Sequence, residues 1–135
     1  MKHIQLITFL IVSFSYSQAT WQQTNNIPTN IGGERFDDVF FLNQNLGWAA
    51  NGSIAAVYKT TDGGLNWTQQ ISEIILNDNY YFRNIEFLNE DIGFLGTLNG
   101  EFYKTTDGGE NWDEQIITPN PQAICGLDAV NSSII

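Results

Sequence analysis

One nine-residue string occurs twice in the chain and decides most of what it can fold into. Lys59-Thr60-Thr61-Asp62-Gly63-Gly64-Leu65-Asn66-Trp67 recurs as Lys104-Thr105-Thr106-Asp107-Gly108-Gly109-Glu110-Asn111-Trp112, 45 positions later, with eight of nine residues identical. Upstream, Phe41-Leu42-Asn43-Gln44-Asn45-Leu46-Gly47-Trp48 matches Phe87-Leu88-Asn89-Glu90-Asp91-Ile92-Gly93-Phe94 at a spacing of 46. The difference of one places a single-residue insertion between the two blocks, in the Asn-Gly turn. A third copy begins at Gly126-Leu127-Asp128-Ala129-Val130-Asn131, and Thr20-Trp21-Gln22-Gln23 matches the tail of a repeat without its head. Repeats of this length are supersecondary units that bury their apolar faces only against one another.

The local signals inside each unit are β. Residues 38–42 and 84–88 are aromatic and β-branched runs of strand length, followed by second strands over 47–50 and 93–98. Asn51-Gly52 and Asn99-Gly100 read as type I′ hairpin turns, because Asn and Gly accept positive φ. Third strands are expected over 54–60 and 101–105, and fourth strands over 66–70 and 111–116. Sustained helical periodicity is missing from the sequence. The fold class is therefore all-β, and four short antiparallel strands in about 45 residues is the size of one propeller blade.

The repeated string has a physical reading as a turn. The Asp62 and Asp107 carboxylates can accept hydrogen bonds from backbone N–H groups exposed by a tight bend. Gly64 and Gly109 can adopt positive φ without a Cβ clash. Trp67 and Trp112 then offer large plates to pack beneath the hairpin. This Thr-x-Asp-x-Gly-x-Asn-Trp pattern resembles the Asp-box of bacterial neuraminidase repeats. With the Gly-Trp or Gly-Phe strand and the Lys-Thr-Thr-Asp-Gly-Gly run, the chain resembles the photosystem II stability/assembly factor-like repeat family; sortilin-type ectodomains and some endo-xyloglucanases carry similar boxes. The resemblance implies a β-propeller closed by an N-terminal strand, a role suited to the stretch around Trp21. It also implies that Thr60, Asp62, Gly64 and Trp67, with Thr105, Asp107, Gly109 and Trp112, serve the fold at the blade periphery. The expected organisation is a leader over 1–17, a closing strand and linker over 18–34, blades over 35–79 and 80–123, and the start of a third blade over 124–135. Two blades and fragments are expected to be the N-terminal piece of a larger propeller, since closed propellers have roughly four to eight.

Composition narrows the function. Lys2-His3, an apolar run over 4–14 and small residues before Gln18 follow the order of a secretory signal peptide. The run is about half of the ~20 residues that cross a bilayer, so no membrane span is expected after cleavage. Removal of residues 1–17 leaves 4 basic and 15 acidic residues and no histidine. Nucleic acid and anionic membrane surfaces are poor partners for such a chain, because phosphate binding rests on Lys and Arg. Losing His3 removes the commonest general base, the His-paired nucleophiles and His-ligated metals. The lone Cys125, within Ala123-Ile124-Cys125-Gly126-Leu127, is expected to be a buried thiol.

Several side chains invite a chemical role and have a simpler explanation beside it. A calcium loop needs several oxygen ligands at alternating positions, whereas each box supplies one carboxylate, so Asp62 and Asp107 are read as turn residues and no cofactor or metal is expected. Glu34, Asp37 and Asp38, Glu90 and Asp91, and Asp113 and Glu114 could be glycosidase carboxylates. Neighbours in a strand point to opposite faces, however, and solvated turn or edge positions explain these pairs better. Arg35 and Arg83 could bind a carboxylate or sulfate if both faced one channel, but pairing with nearby acids is the simpler expectation. Trp48 and Tyr80-Tyr81-Phe82 could stack on sugars, though core packing is favoured for aromatics in strands. Asn51, Asn66 and Asn131 head glycosylation sequons that matter only in a eukaryotic secretory pathway. The reading adopted is an exported (periplasmic, surface or secreted), non-enzymatic propeller scaffold for a protein or glycan partner. The alternatives are part of a sialidase- or xyloglucanase-type enzyme and a polysaccharide-binding adhesin.

Overall fold

The computed structural model describes residues 35–71 and 81–131. They form two four-stranded antiparallel sheets, each a simple meander. The first contains β1 (Phe36–Phe41), β2 (Gly47–Asn51), β3 (Ala56–Thr60) and β4 (Thr68–Ile71); the second contains β5 (Phe82–Phe87), β6 (Gly93–Thr97), β7 (Phe102–Thr105) and β8 (Asp113–Glu114). The fold is all-β, and the two sheets are successive blades. The leader, the closing strand around Trp21 and Tyr80 lie outside the described residues.

The sheets share a register, position by position. Phe36 pairs with Asn51 as Phe82 pairs with Thr97, and Phe41 with Gly47 as Phe87 with Gly93. Every residue of β2 and β6 is buried, as expected of central strands covered on both faces. Asn43 and Asn89 turn the chain between first and second strands. The Asn43 Oδ1 accepts from the N–H groups of Asn45 and Leu46 at 2.9 and 3.0 Å, and the Asn89 Oδ1 from Asp91 and Ile92 at 2.9 and 2.8 Å.

The Asn-Gly turns differ from the sequence expectation. Neither is a two-residue type I′ turn, and they are not equivalent to each other. Asn51 is the last, fully buried residue of β2, and its register partner in the other blade is Thr97. The Asn51 Oδ1 accepts from the Ile54 N–H at 3.3 Å, while the Thr97 Oγ1 accepts from the Asn99 and Glu101 N–H groups at 3.1 and 3.0 Å. Positive φ falls at Ala55 and Gly100, which end loops of 52–55 and 98–100. The single-residue insertion lies in this connection, as the spacing required. The second loop is a turn followed by a left-handed Gly100, the common three-residue hairpin connection, and its Gly100 N–H reaches the Thr97 carbonyl at 3.4 Å.

A bulge overturns a second expectation. Register slips between Phe36 and Asp38 and at the same place in the other blade, between Phe82 and Asn84. The extra residues are Asp37 and Arg83, and strict alternation stops there. Asp37 and Asp38 therefore both reach toward the second blade. Asp37 is not a solvated edge residue: its side chain is 0% exposed.

The fourth strands are shorter than expected at their starts, because the box turns consume residues 61–67 and 106–112. β4 runs on to Ile71, which is buried in the core. β8 stops at Glu114, and its repeat counterpart Ile116 is 91% exposed. Beyond it the chain returns along the second blade, where the Ile124 N–H donates to the Thr97 carbonyl at 2.8 Å and the Ala129 N–H to Glu86 Oε1 at 3.2 Å. Ile124 packs over Gly96, which lacks the Cβ that would collide with it. Cys125 is exposed, contrary to expectation. Ile124 and Leu127 are the half-buried members of this stretch, and Cys125 between them faces outward.

Candidate functional site

Each box is a closed hydrogen-bond network. In the first, the Thr60 hydroxyl donates to Asp62 Oδ1 at 2.9 Å and accepts from the Asp62 and Gly64 N–H groups at 3.3 and 2.9 Å. The Asp62 Oδ1 accepts from the Asn66 N–H at 2.8 Å and its Oδ2 from the Asn66 amide at 2.7 Å. The Trp67 indole donates to the Gly64 carbonyl at 3.1 Å. In the second box, Thr105, Asp107, Gly109, Asn111 and Trp112 repeat every one of these bonds within about 0.1 Å. Both glycines of each box have positive φ. The Gly63 and Gly108 N–H groups pin the box to the preceding turn through the Asn45 and Asp91 carbonyls, both at 2.8 Å.

The carboxylates feel this network. Bonds from the Asn66 side chain and then its N–H hold Asp62 below the usual carboxylate range. The Asn111 N–H and side chain bring Asp107 down to about 2. Both oxygens of each carboxylate are engaged within their own turn.

The blades meet along an aromatic seam. Trp48 of β2 is fully buried and lies flat on Phe87 of β5, ring centroids 3.5 Å apart. Phe87 in turn meets the edge of Trp112 at 5.9 Å. The Trp48 indole donates to the Gly108 carbonyl at 2.9 Å, and the Lys59 ammonium reaches the same oxygen at 3.2 Å while lying over the Trp48 ring. Trp48 is thus a core residue and not an exposed plate, and Phe82 is fully buried too. An open groove of about 410 Å³ runs beside this seam, with Asn43, Asn45 and Lys59 on one side and Glu90, Asp91 and Asp107 on the other.

A polar cluster joins the first strands of the two sheets. The Arg35 and Arg83 guanidiniums both bond Asp37 Oδ1, at 2.9 and 2.8 Å. The Arg35 Nε–H also approaches the Tyr81 hydroxyl at 3.3 Å, and the Tyr81 and Asp37 contacts raise its pKa. Arg83 is the repeat counterpart of Asp37, so equivalent positions on the first strands of the two blades carry opposite charges. Asp38 Oδ2 accepts the Ile85 N–H at 2.9 Å, a second tie between blades. Gly52 is enforced here: a Cβ would strike the half-buried Tyr81 ring and lie 2.6 Å from Asp37 Oδ2. The arginines pair with a neighbouring acid, as the sequence suggested. The contacts between the blades have no local signature, because they join residues 39–60 positions apart. Glu90 and Asp91 in the turn, and Asp113 and Glu114 in β8, are exposed.

These features define a propeller built from Asp-box repeats, with the boxes at the turns and the blades locked by aromatic stacking and charge. Residues 13–132 match the family described as photosynthesis system II assembly factor YCF48, and the chain belongs to that family. Among solved structures, it is similar to YCF48 bound to a D1 peptide, at 26% identity and a TM-score of 0.55. That match covers 64% of this chain and 28% of the relative, so the chain accounts for well under half of that protein's length. No curated protein matches it.

Proposed function

We propose that these blades belong to an exported, non-enzymatic propeller scaffold that binds a peptide segment of a partner protein. One observation carries the reading: YCF48, to which this chain is similar, has been solved with a D1 peptide bound. The chemistry of the blades supports it. The carboxylates best placed for catalysis, Asp37, Asp38, Asp62 and Asp107, are each committed to a backbone, amide or guanidinium partner. The signal-like residues 1–17 support export, and Arg35, with its side chain 66% exposed, offers a cationic group to an acidic segment.

The test is a phage-displayed peptide library panned against the full protein, with a glycan array in parallel. The expected result is enrichment of peptides carrying an acidic group or free C-terminus, with binding lost when Arg35→Ala and Arg83→Ala are combined. Binding unchanged in that double variant would overturn the role of the arginines. Glycan binding or sugar hydrolysis without peptide enrichment would overturn the scaffold reading.

A further inference from the structure

Four Asx-Gly pairs occur in the chain: Asn51-Gly52, Asp62-Gly63, Asn99-Gly100 and Asp107-Gly108. Such pairs share an intrinsic reactivity, because a glycine nitrogen has no neighbouring side chain to obstruct its attack on the preceding side-chain carbonyl. The fold treats the four differently. In the boxes, the Gly63 and Gly108 N–H groups are tied to carbonyls at 2.8 Å, and hydrogen bonds hold Asp62 and Asp107 ionised. Asn51 is 0% exposed, its Oδ1 accepts the Ile54 N–H, and its backbone is paired with Phe36 on one side and Ala56 on the other. Asn99 has none of these restraints. It is exposed at a loop tip, and among the described residues its side-chain amide has no hydrogen-bond partner. The Thr97 Oγ1 takes only its backbone N–H. The Gly100 N–H is 3.4 Å from the Thr97 carbonyl, beyond the range of a firm bond.

We propose that Asn99 is a deamidation site, at which water converts the side-chain amide to a carboxylate and ammonia is released. The Gly100 nitrogen attacks Asn99 Cγ and forms the N–Cγ bond of a cyclic imide. The Cγ–Nδ2 bond breaks, and that nitrogen leaves as ammonia with the proton lost from Gly100. Water then opens the ring. Hydrolysis at Cγ gives aspartate, and hydrolysis at the Asn99 backbone carbonyl gives isoaspartate, with one more carbon in the main chain. Either product adds a negative charge to a loop that hangs on the arginine cluster. The Leu98 N–H donates to the Tyr81 carbonyl at 2.9 Å, and the Tyr81 hydroxyl meets Arg35. The isoaspartyl form also strains the packing behind the loop. Gly100 lies against the Pro121 carbonyl with no room for even a Cβ, so a longer main chain displaces the returning segment and its Ile124 bond to the Thr97 carbonyl.

The experiment incubates the full protein in mildly alkaline buffer, folded and in urea, and follows amide-to-acid conversion at each asparagine by peptide mass spectrometry. Enzymatic methyl labelling of isoaspartate separates the two products. In the folded protein Asn99 is expected to convert at least about ten times faster than Asn51, because Asn51 must await a local opening of its strand. In urea that ratio shrinks, since both asparagines precede glycine and the fold no longer separates them. A smaller ratio in the folded protein, a ratio that unfolding does not reduce, or an Asn99 inert until unfolded overturns the proposal.

Discussion

The two blades carry the same box and live in different surroundings. Their Thr-Asp-Asn-Trp networks agree bond for bond, although among the described residues one is met by a neighbouring blade and the other is not. Their apolar positions diverge widely: Phe87 is 2% exposed and Phe41 42%, and Trp112 is buried where Trp67 is half-buried. The box is therefore a self-contained device for closing a hairpin. The main core cluster, by contrast, spans the place where the blades meet.

Substitutions can break that distinction. The largest effect is expected at Trp48→Ala, which empties the seam and removes one of the two donors on the Gly108 carbonyl. Large aromatic-to-Ala changes in cores cost about 3–5 kcal/mol. Trp67→Ala, in the uncovered blade, should cost clearly less, and urea unfolding compares the two. Next comes the bulge charge. Asp37→Ala removes the buried carboxylate that two partly exposed guanidiniums share, so about 1.5–3 kcal/mol should be lost, and Arg83→Ala less, because Arg35 still serves the carboxylate.

The boxes should respond alike. Thr60→Val and Thr105→Val each strand glycine and aspartate N–H groups, at about 1–3 kcal/mol apiece. Unequal losses would mean that the covering blade supports the turn. Smallest is the pH effect. Asp62 and Asp107 have folded pKa values depressed below the unfolded value of about 4. Their stabilisation is present above that value and disappears as pH falls through the folded values, about 2 for Asp107. An acid titration of Asp62→Asn and Asp107→Asn should show the slope between pH 4 and pH 2 flattened in each, and a retained slope would place the titration elsewhere.

The repeat made strand order, the four-stranded unit and the box residues legible, because each depends on contacts within one unit of about 45 residues. What stayed hidden has a common cause. Asn51 and Asn99 look alike, each followed by glycine, yet Asn51 ends a strand and Asn99 lies in a loop. Local composition could not reveal this, whereas the 46-residue spacing that equates Asn51 with Thr97 does. The bulges at Asp37 and Arg83 cancel the alternation on which the opposite-face argument rested. The Trp48–Phe87 stack joins two blades and has no local signature. Cys125 illustrates the reverse error: an apolar neighbourhood in sequence is not burial when the side chain faces outward.

A double-mutant cycle on Trp48 and Phe87, measured by urea unfolding of Trp48→Ala, Phe87→Ala and the pair, tests most directly whether the interblade seam makes the core. Stacked aromatic pairs contribute about 0.5–1.5 kcal/mol beyond their burial, and a coupling of that size or larger is expected. Single-variant losses that add within about 0.3–0.5 kcal/mol would contradict the account, and would mean that each blade builds its core alone.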